Sequence, residues 1–227
     1  MIQNGDNLDG HVIQSDYQAA GKGHMGAYWE SEPGQNLLMS YVCKPFMVEP
    51  SNQFVITKAI SLAMQQSLEA ITPGHHFQIK WPNDLYTGGK KIGGILIECS
   101  IQGNKIDYCV AGVGLNINQM VFTSDAPNPV SCKLLSGITH DLDECRQVVT
   151  GNMNLWLSLL TNKQFKQVDE TYLKHLLGYK RHMHFLEKSR RFKARIAGVD
   201  KYGKLILEQN GQSRAYDMKE VSLIPDS

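Results

Sequence analysis

Two long runs of strand-forming residues, KIGGILIECS at 91–100 and KIDYCVAGVGLNI at 105–117, follow one another with only Gln102-Gly103-Asn104 between them. A Gly-Asn pair between apolar runs is a hairpin signal, so the middle of the chain is committed to an antiparallel ribbon. Other segments supply the rest of a sheet: HVIQSDYQ at 11–18, NLLMSYV at 36–42 and QIKW at 78–81 also read as strands. Between them, Ile56, Ile60, Ala63, Met64, Leu68 and Ile71 recur at helical spacing, with Ser51 as the expected cap and Pro73-Gly74 as the stop. Leu142 to Leu160 and Phe165 to Leu177 predict a second and a third helix. The class expected is α+β, a mixed sheet flanked by helices.

At about Gly178 the pattern changes to short alternating runs, HMHFLE, FKARIAGV, KLILEQ and SRAYDM, separated by Asp200-Lys201-Tyr202-Gly203 and by Asn210-Gly211. Closely spaced turns of this kind predict a small β-barrel. So short a module is expected to lean on a larger one, which divides the chain into 1–178 and 179–227. Twenty-three Lys+Arg against 22 Asp+Glu leave a formal charge of +1, so no whole-chain field draws the protein to nucleic acid or an anionic membrane, and neither is expected as a partner. The five cysteines are odd in number and form no C-x-x-C, which suits reduced thiols in a cytoplasm. The N-terminal MIQNGDNLDG has no apolar stretch to act as a signal peptide, and no later run approaches the roughly 18 apolar residues of a membrane span.

Four segments have the composition of a ligand site. In Gln18-Ala-Ala-Gly-Lys-Gly-His-Met-Gly-Ala-Tyr-Trp29, three glycines in six residues let backbone N–H groups approach an anion, although the same glycines also suit a plain connection. Gly21, Gly23 and Gly26 satisfy G-x-G-x-x-G, but a strand follows where a dinucleotide fold needs a helix, so that reading is rejected. Lys80, in Ile79-Lys80-Trp81-Pro82-Asn83-Asp84, closes an apolar strand and is either a solvated end residue or a cation held in a cleft. Gly93-Gly94 and Gly112/Gly114 interrupt strong β-formers, as a bulge does or as a close-lying ligand requires, and Asn116 ends the second run with a polar amide.

Taken together and in order, the segments resemble those of biotin protein ligases: Gln-x-x-Gly-Arg-Gly-Arg-x-Gly-x-x-Trp at Gln18 to Trp29, Lys-Trp-Pro-Asn-Asp at Lys80 to Asp84, Lys-x-x-Gly-Ile-Leu-x-Glu at Lys91 to Glu98, and Gly-x-Gly-x-Asn at Gly112 to Asn116. GVDKYGKL at 198–205 is similar to the family's C-terminal module. The resemblance implies a class II synthetase-like catalytic domain with an SH3-like β-barrel, and an enzyme that joins biotin to ATP, with Mg²⁺ on the phosphates, and passes biotin to a lysine of a biotin carboxyl carrier domain. It implies Lys80 as the catalytic cation; Gln18, Lys22, Gly23, His24 and Gly94, with Lys80, around biotin; and Trp29, Asn83, Lys91 and Asn116 around ATP. No residue is expected to be a dedicated metal ligand. Family members are monomers or homodimers.

Three departures accompany the resemblance. Lys22 and His24 stand where the family has two arginines; lysine lacks the bidentate fork and a histidine is mostly neutral at pH 7, so a less firmly closed loop is expected. The family's Ser-Thr-Asn biotin-binding segment does not precede His11. The final Val221 to Ser227 lack the arginine of some relatives, and no ATP contact is expected there. A repressor role, which needs a winged-helix domain, is not expected either. The competing readings are a lipoate or octanoate transferase of the same fold, whose octanoyl type uses a cysteine nucleophile, and a non-catalytic biotin-binding module.

Overall fold

The computed structural model describes residues 8–23, 26, 28–45, 47–124 and 128–224. The hairpin read from residues 91–117 is its longest feature: β7 (Lys90–Gln102) pairs with β8 (Lys105–Leu115) through a two-residue turn at Gly103-Asn104. Around it stand β1 (Val12–Ser15), β4 (Leu37–Cys43), β5 (Gln78–Lys80) and β6 (Asp84–Thr87), in the order β1-β4-β8-β7-β6-β5. Each ladder is antiparallel, and the parallel contacts are single bridges at Ile79–Leu176 and Lys91–Pro129. A short hairpin of β2 (Gly21–Lys22) and β3 (Tyr28–Trp29) takes up part of the glycine-rich loop.

Alternation along β4 separates the two faces of the sheet. Leu37, Met39, Tyr41 and Cys43 join the core with α1 (Phe54–Ile71), while Ser40 faces the other way. Tyr41 reaches Asn154 of α3 (Leu142–Thr161) through its hydroxyl, which fixes that side as the helical one. The short α2 (Cys132–Ser136) is capped by Ser131 Oγ, which accepts from Leu134 N at 3.2 Å, and α4 (Phe165–His175) packs on α1. Ser51 does not cap α1: it lies in a 3₁₀ turn, Pro50–Asn52, because Pro50 fixes φ one residue earlier and starts the turn there. The helix begins at Phe54 after Gln53.

The C-terminal segment forms a second sheet, β12-β11-β10-β9-β13, from β9 (His182–Glu187), β10 (Arg190–Val199), β11 (Leu205–Gln209), β12 (Gln212–Tyr216) and β13 (Ser222–Ile224). The closed barrel expected for this segment is corrected to an open sheet, since among the described residues β12 pairs only with β11 and β13 only with β9. This sheet is bound tightly to the larger part. Trp81 Nε1 donates to Gly203 O at 2.8 Å, and a Cβ on Gly203 would fall 2.4 Å from Phe54 Cδ2. The buried Lys58 of α1 donates to Asp169 Oδ1 of α4 at 2.9 Å and to Val199 O at 3.4 Å, so one cation joins three elements.

The expectation of reduced thiols is corrected at one pair: Cys99 and Cys109 face each other across β7 and β8 and are joined as a disulfide. Cys43, Cys132 and Cys145 are free and buried.

Candidate active site

The sheet face opposite the helices forms the floor of a cavity of about 480 Å³. Glycines keep that floor low. Gly94 of β7 and Gly114 of β8 are register partners, and the Trp29 ring lies over both: a Cβ would fall 2.6 Å from Trp29 Cε2 at Gly114 and 3.4 Å from Trp29 Cζ3 at Gly94. Gly112, one step along β8, has no such cover and opens to the cavity. Trp29 is itself held by backbone, since Gly21 pairs with it and a Cβ there would sit 2.4 Å from Trp29 O. Among the described residues nothing accepts from the buried Trp29 Nε1, which leaves a donor in the wall.

Charge is arranged along one edge. Lys91 Nζ is 2.6 Å from Asp84 Oδ1 and 5.7 Å from the Trp29 ring centroid. Backbone bonds fix its position: Lys91 N donates to Asn128 O at 2.9 Å, and Lys91 O accepts from Val130 N at 2.9 Å. Asn83 holds the turn before β6 against β7, its side-chain amide donating to Ile95 O while Asn83 O accepts from Ile95 N at 3.0 Å.

Lys80 is half-buried at the end of β5, opposite Asp84 in register, with Nζ 3.2 Å from Tyr86 Oη and 4.7 Å from the Tyr86 ring centroid. Burial pushes its pKa below the ordinary lysine value, and the Asp84 carboxylate partly offsets that. Burial also pushes the Tyr86 hydroxyl up, so Tyr86 stays protonated beside the cation.

Of the residues singled out from sequence, Gln18, Lys22, Gly23, Trp29, Asn83, Lys91 and Gly94 line the large cavity together. Lys80 lines an adjoining cleft of about 190 Å³ between the two sheets, and Asp84 borders both spaces. Asn116 lines neither: it is buried below the floor, with Nδ2 donating to Val130 O at 3.1 Å. His24 lies outside the described residues. Sequence reasoning passed over Ser40 and gave Asp84 no role in the site, yet both line the cavity. The signal for Ser40 was available, since it is the one aliphatic hydroxyl in the apolar run LLMSYVC. For Asp84 the signal was its place between two lysines, visible only once β5, β6 and β7 are adjacent.

Residues 5–116 match the family described as the biotin/lipoate A/B protein ligases. The chain is 26% identical to the bifunctional ligase/repressor BirA of Bacillus spizizenii over 95% of its own length and 67% of that protein. It is 30% identical to the chloroplastic biotin–protein ligase 1 of Arabidopsis thaliana over 72% of its length and 45% of the relative's. In three dimensions it is similar to the biotin protein ligase of Aquifex aeolicus, solved in complex with biotin and ATP, with a TM-score of 0.81, 23% identity and coverage of 98% of this chain and 92% of that one. The glycine-floored cavity edged by cations therefore lies, on this fold, within the residues that match the biotin/lipoate A/B protein ligase family.

Proposed function

We propose that this chain is an ATP-dependent biotin protein ligase whose acceptor is a lysine of a biotin carboxyl carrier domain. The observation that carries the reading is the glycine floor, Gly94 and Gly114 beneath Trp29 and the uncovered Gly112 beside them, bordered by Lys22, Lys91 and, across Asp84, Lys80. A flat apolar ring system and a nucleotide need a low floor with cations at one edge. In the first step the biotin carboxylate oxygen attacks the α-phosphorus of ATP, the P–O bond to the β-phosphate breaks, and pyrophosphate leaves. Lys80 reduces the repulsion between two anions and stabilises charge on the in-line transition state, and Lys91 binds phosphate. In the second step a neutral acceptor amine attacks the acyl carbon, AMP leaves, and the amine proton is lost to solvent.

Mg²⁺ belongs to this reading as part of the nucleotide. Among the described residues no group of three or more His, Cys, Asp or Glu could hold a metal ion; Mg²⁺ would come with the nucleotide's phosphates and neutralise their charge, with Asp84 as the cavity carboxylate that could join it. Gln18, Lys22, Gly23 and His24 would close over biotin and the adenylate, and Asn83 and Asn116 act by holding the strands that form the floor. The units 1–178 and 179–227 are read as the catalytic domain and its C-terminal module. No helix is long and apolar enough to cross a membrane. A cytoplasmic site of action is part of the same proposal.

Among the described lining residues there is no cysteine, which counts against a cysteine-dependent octanoyl transferase. The test is a two-step assay with biotin, ATP-Mg²⁺ and a carrier domain, reading pyrophosphate release and acceptor mass separately. Lys80→Ala is expected to lower the first step by about 100-fold or more, as loss of one preorganised charge does, with the circular dichroism spectrum unchanged. Activation of lipoate in place of biotin, or full activity in Lys80→Ala, would overturn the reading.

A further inference from the structure

We infer that Glu30 is a positioning residue, whose carboxylate clasps the glycine-rich hairpin to residues 123 and 124 and so fixes Trp29 over the glycine floor while nucleotide and acyl-adenylate are bound. This rests on the function proposed above. One oxygen of Glu30 accepts from Thr123 N at 2.8 Å and Thr123 Oγ1 at 3.0 Å, and the other accepts from Ser124 N at 2.8 Å. Three donors from a segment more than 90 residues away converge on one side chain, immediately after Trp29 in β3.

The two segments so joined are the ones that frame the site. Glu30 continues the strand whose tryptophan lies on Gly94 and Gly114, while residues 116–124 leave the end of β8, the strand that carries Gly112 and Gly114. After that excursion the chain returns at 128–130 to bond the Lys91 backbone on both sides. A deeper clasp lies beneath: the fully buried Gln119 accepts from Glu32 N at 3.2 Å and from Asn36. Gln119 secures the base of the hairpin, and Glu30 secures the part nearest the ligand.

The chemistry requires a carboxylate. The backbone N–H groups of Thr123 and Ser124 can only donate, one to each carboxylate oxygen, whereas an amide has one oxygen and would turn its own NH₂ donors toward one of those N–H groups. Charge-assisted acceptance of this kind is stronger than the neutral form. Partial burial raises the pKa of Glu30, but the bonds from Ser124 and Thr123 outweigh it and the net shift is downward, so the ionised clasp is the resting state.

The experiment compares wild type with Glu30→Gln and Glu30→Ala in the full chain, reading amide hydrogen exchange together with biotinyl-adenylate formation and release. Both variants should exchange faster at Thr123, Ser124 and residues 28–30, with β4 and β8 as protected as before. The KM for ATP and the rate of adenylate release should each rise about tenfold, the scale set by losing charge-assisted bonds at a part-exposed site. The single-turnover rate at saturating ATP should stay within about twofold, because no catalytic group is touched. Unchanged protection at Thr123 and Ser124 in Glu30→Gln overturns the inference, as does a loss confined to the single-turnover rate with KM and release unaltered. If the wild-type chain forms no biotinyl-adenylate, the reading of function falls; the inference is then decided by exchange and by ATP binding, faster exchange with weaker binding upholding it and no change in either overturning it.

Discussion

The Asp84 carboxylate lies 2.6 Å from the Lys91 ammonium and directly opposite Lys80 in the β5–β6 register, so one acid sits between these two cations of the site. Without it, two like charges would face one cavity edge. With it, the Lys91 ammonium is held in place by an ion pair and the charge of the half-buried Lys80 is supported before any phosphate arrives.

This relationship predicts a pH dependence. Lys80 acts as a cation, and burial has lowered its pKa while Asp84 holds it up. Adenylate formation should therefore decline as pH rises toward that lowered value, beginning below the range of an ordinary lysine near 10.4. Asp84→Asn removes the supporting charge, so the alkaline fall in kcat/KM should move to lower pH. Profiles of pyrophosphate release for the two proteins decide the matter, and superimposable alkaline limbs would show that Asp84 does not act on Lys80.

The glycine floor makes a second, site-by-site prediction. At Gly114 a methyl group would meet three atoms of the Trp29 indole between 2.6 and 2.9 Å, and the ring is wedged by the backbone contact at Gly21. Gly114→Ala should destabilise the fold by about 1–3 kcal/mol, as overpacking does, and displace Trp29. Gly112→Ala meets nothing closer than Leu96 O at 3.5 Å. Its stability should change by less than about 0.5 kcal/mol, yet the added methyl enters the cavity and should weaken biotin binding. Urea titration beside biotin titration separates the two, and equal behaviour of both variants would mean that the indole does not lie over Gly114.

Much of this was legible in sequence because local rules and tertiary structure agree. The two-residue turn at Gly103-Asn104 and the apolar period of α1 each had one physical solution, and the structure adopts them, whereas the glycine interruptions had two, a bulge or a close approach, and the Trp29 ring over Gly94 and Gly114 is a close approach. The cysteine pair was not legible, for a reason visible in the register. From the turn, Gln102 pairs with Lys105 and Ile101 with Ile106; continued unchanged, that register would set Cys99 against Tyr108. An irregularity between Ser100 and Ile101 inserts one residue into β8 and brings Cys109 opposite Cys99 instead. Ser51 failed as a cap because Pro50 had already begun the turn. Asn116 was assigned to the nucleotide through the Gly-x-Gly-x-Asn resemblance, and in this chain its side-chain N–H is spent on Val130 O.

The junction between the two sheets should respond strongly to Gly203. Its φ of +87° suits glycine, its carbonyl accepts from Trp81, and a Cβ would run into the Phe54 ring at 2.4 Å. Gly203→Ala combines backbone strain with overpacking and should cost about 2–4 kcal/mol. Trp81→Phe deletes only the hydrogen bond and part of the ring, for about 1 kcal/mol. Because Trp81 follows Lys80 directly, both variants should also slow adenylate formation. Denaturant melts with and without biotin test this, and a Gly203→Ala protein as stable as wild type would show that the C-terminal sheet does not depend on this contact.

The thiol chemistry offers the last prediction, and labelling reads it directly. Burial pushes Cys43 and Cys145 up to about 12 and Cys132 up to about 11, so in the folded chain these three thiols should react very slowly with iodoacetamide at pH 8. Denatured without reductant, the chain should take three labels, and after reduction five, since Cys99 and Cys109 are joined. Reduction closes off little entropy, because the hairpin ladder already holds the short loop between them, so the loss should stay below about 2 kcal/mol. Glu98 and Val110, the neighbouring register pair, line the cavity and remain hydrogen-bonded through the ladder after reduction, so adenylate formation should change by less than about twofold. Five labels in the unreduced denatured chain would return all five cysteines to the thiol state expected from their number and spacing.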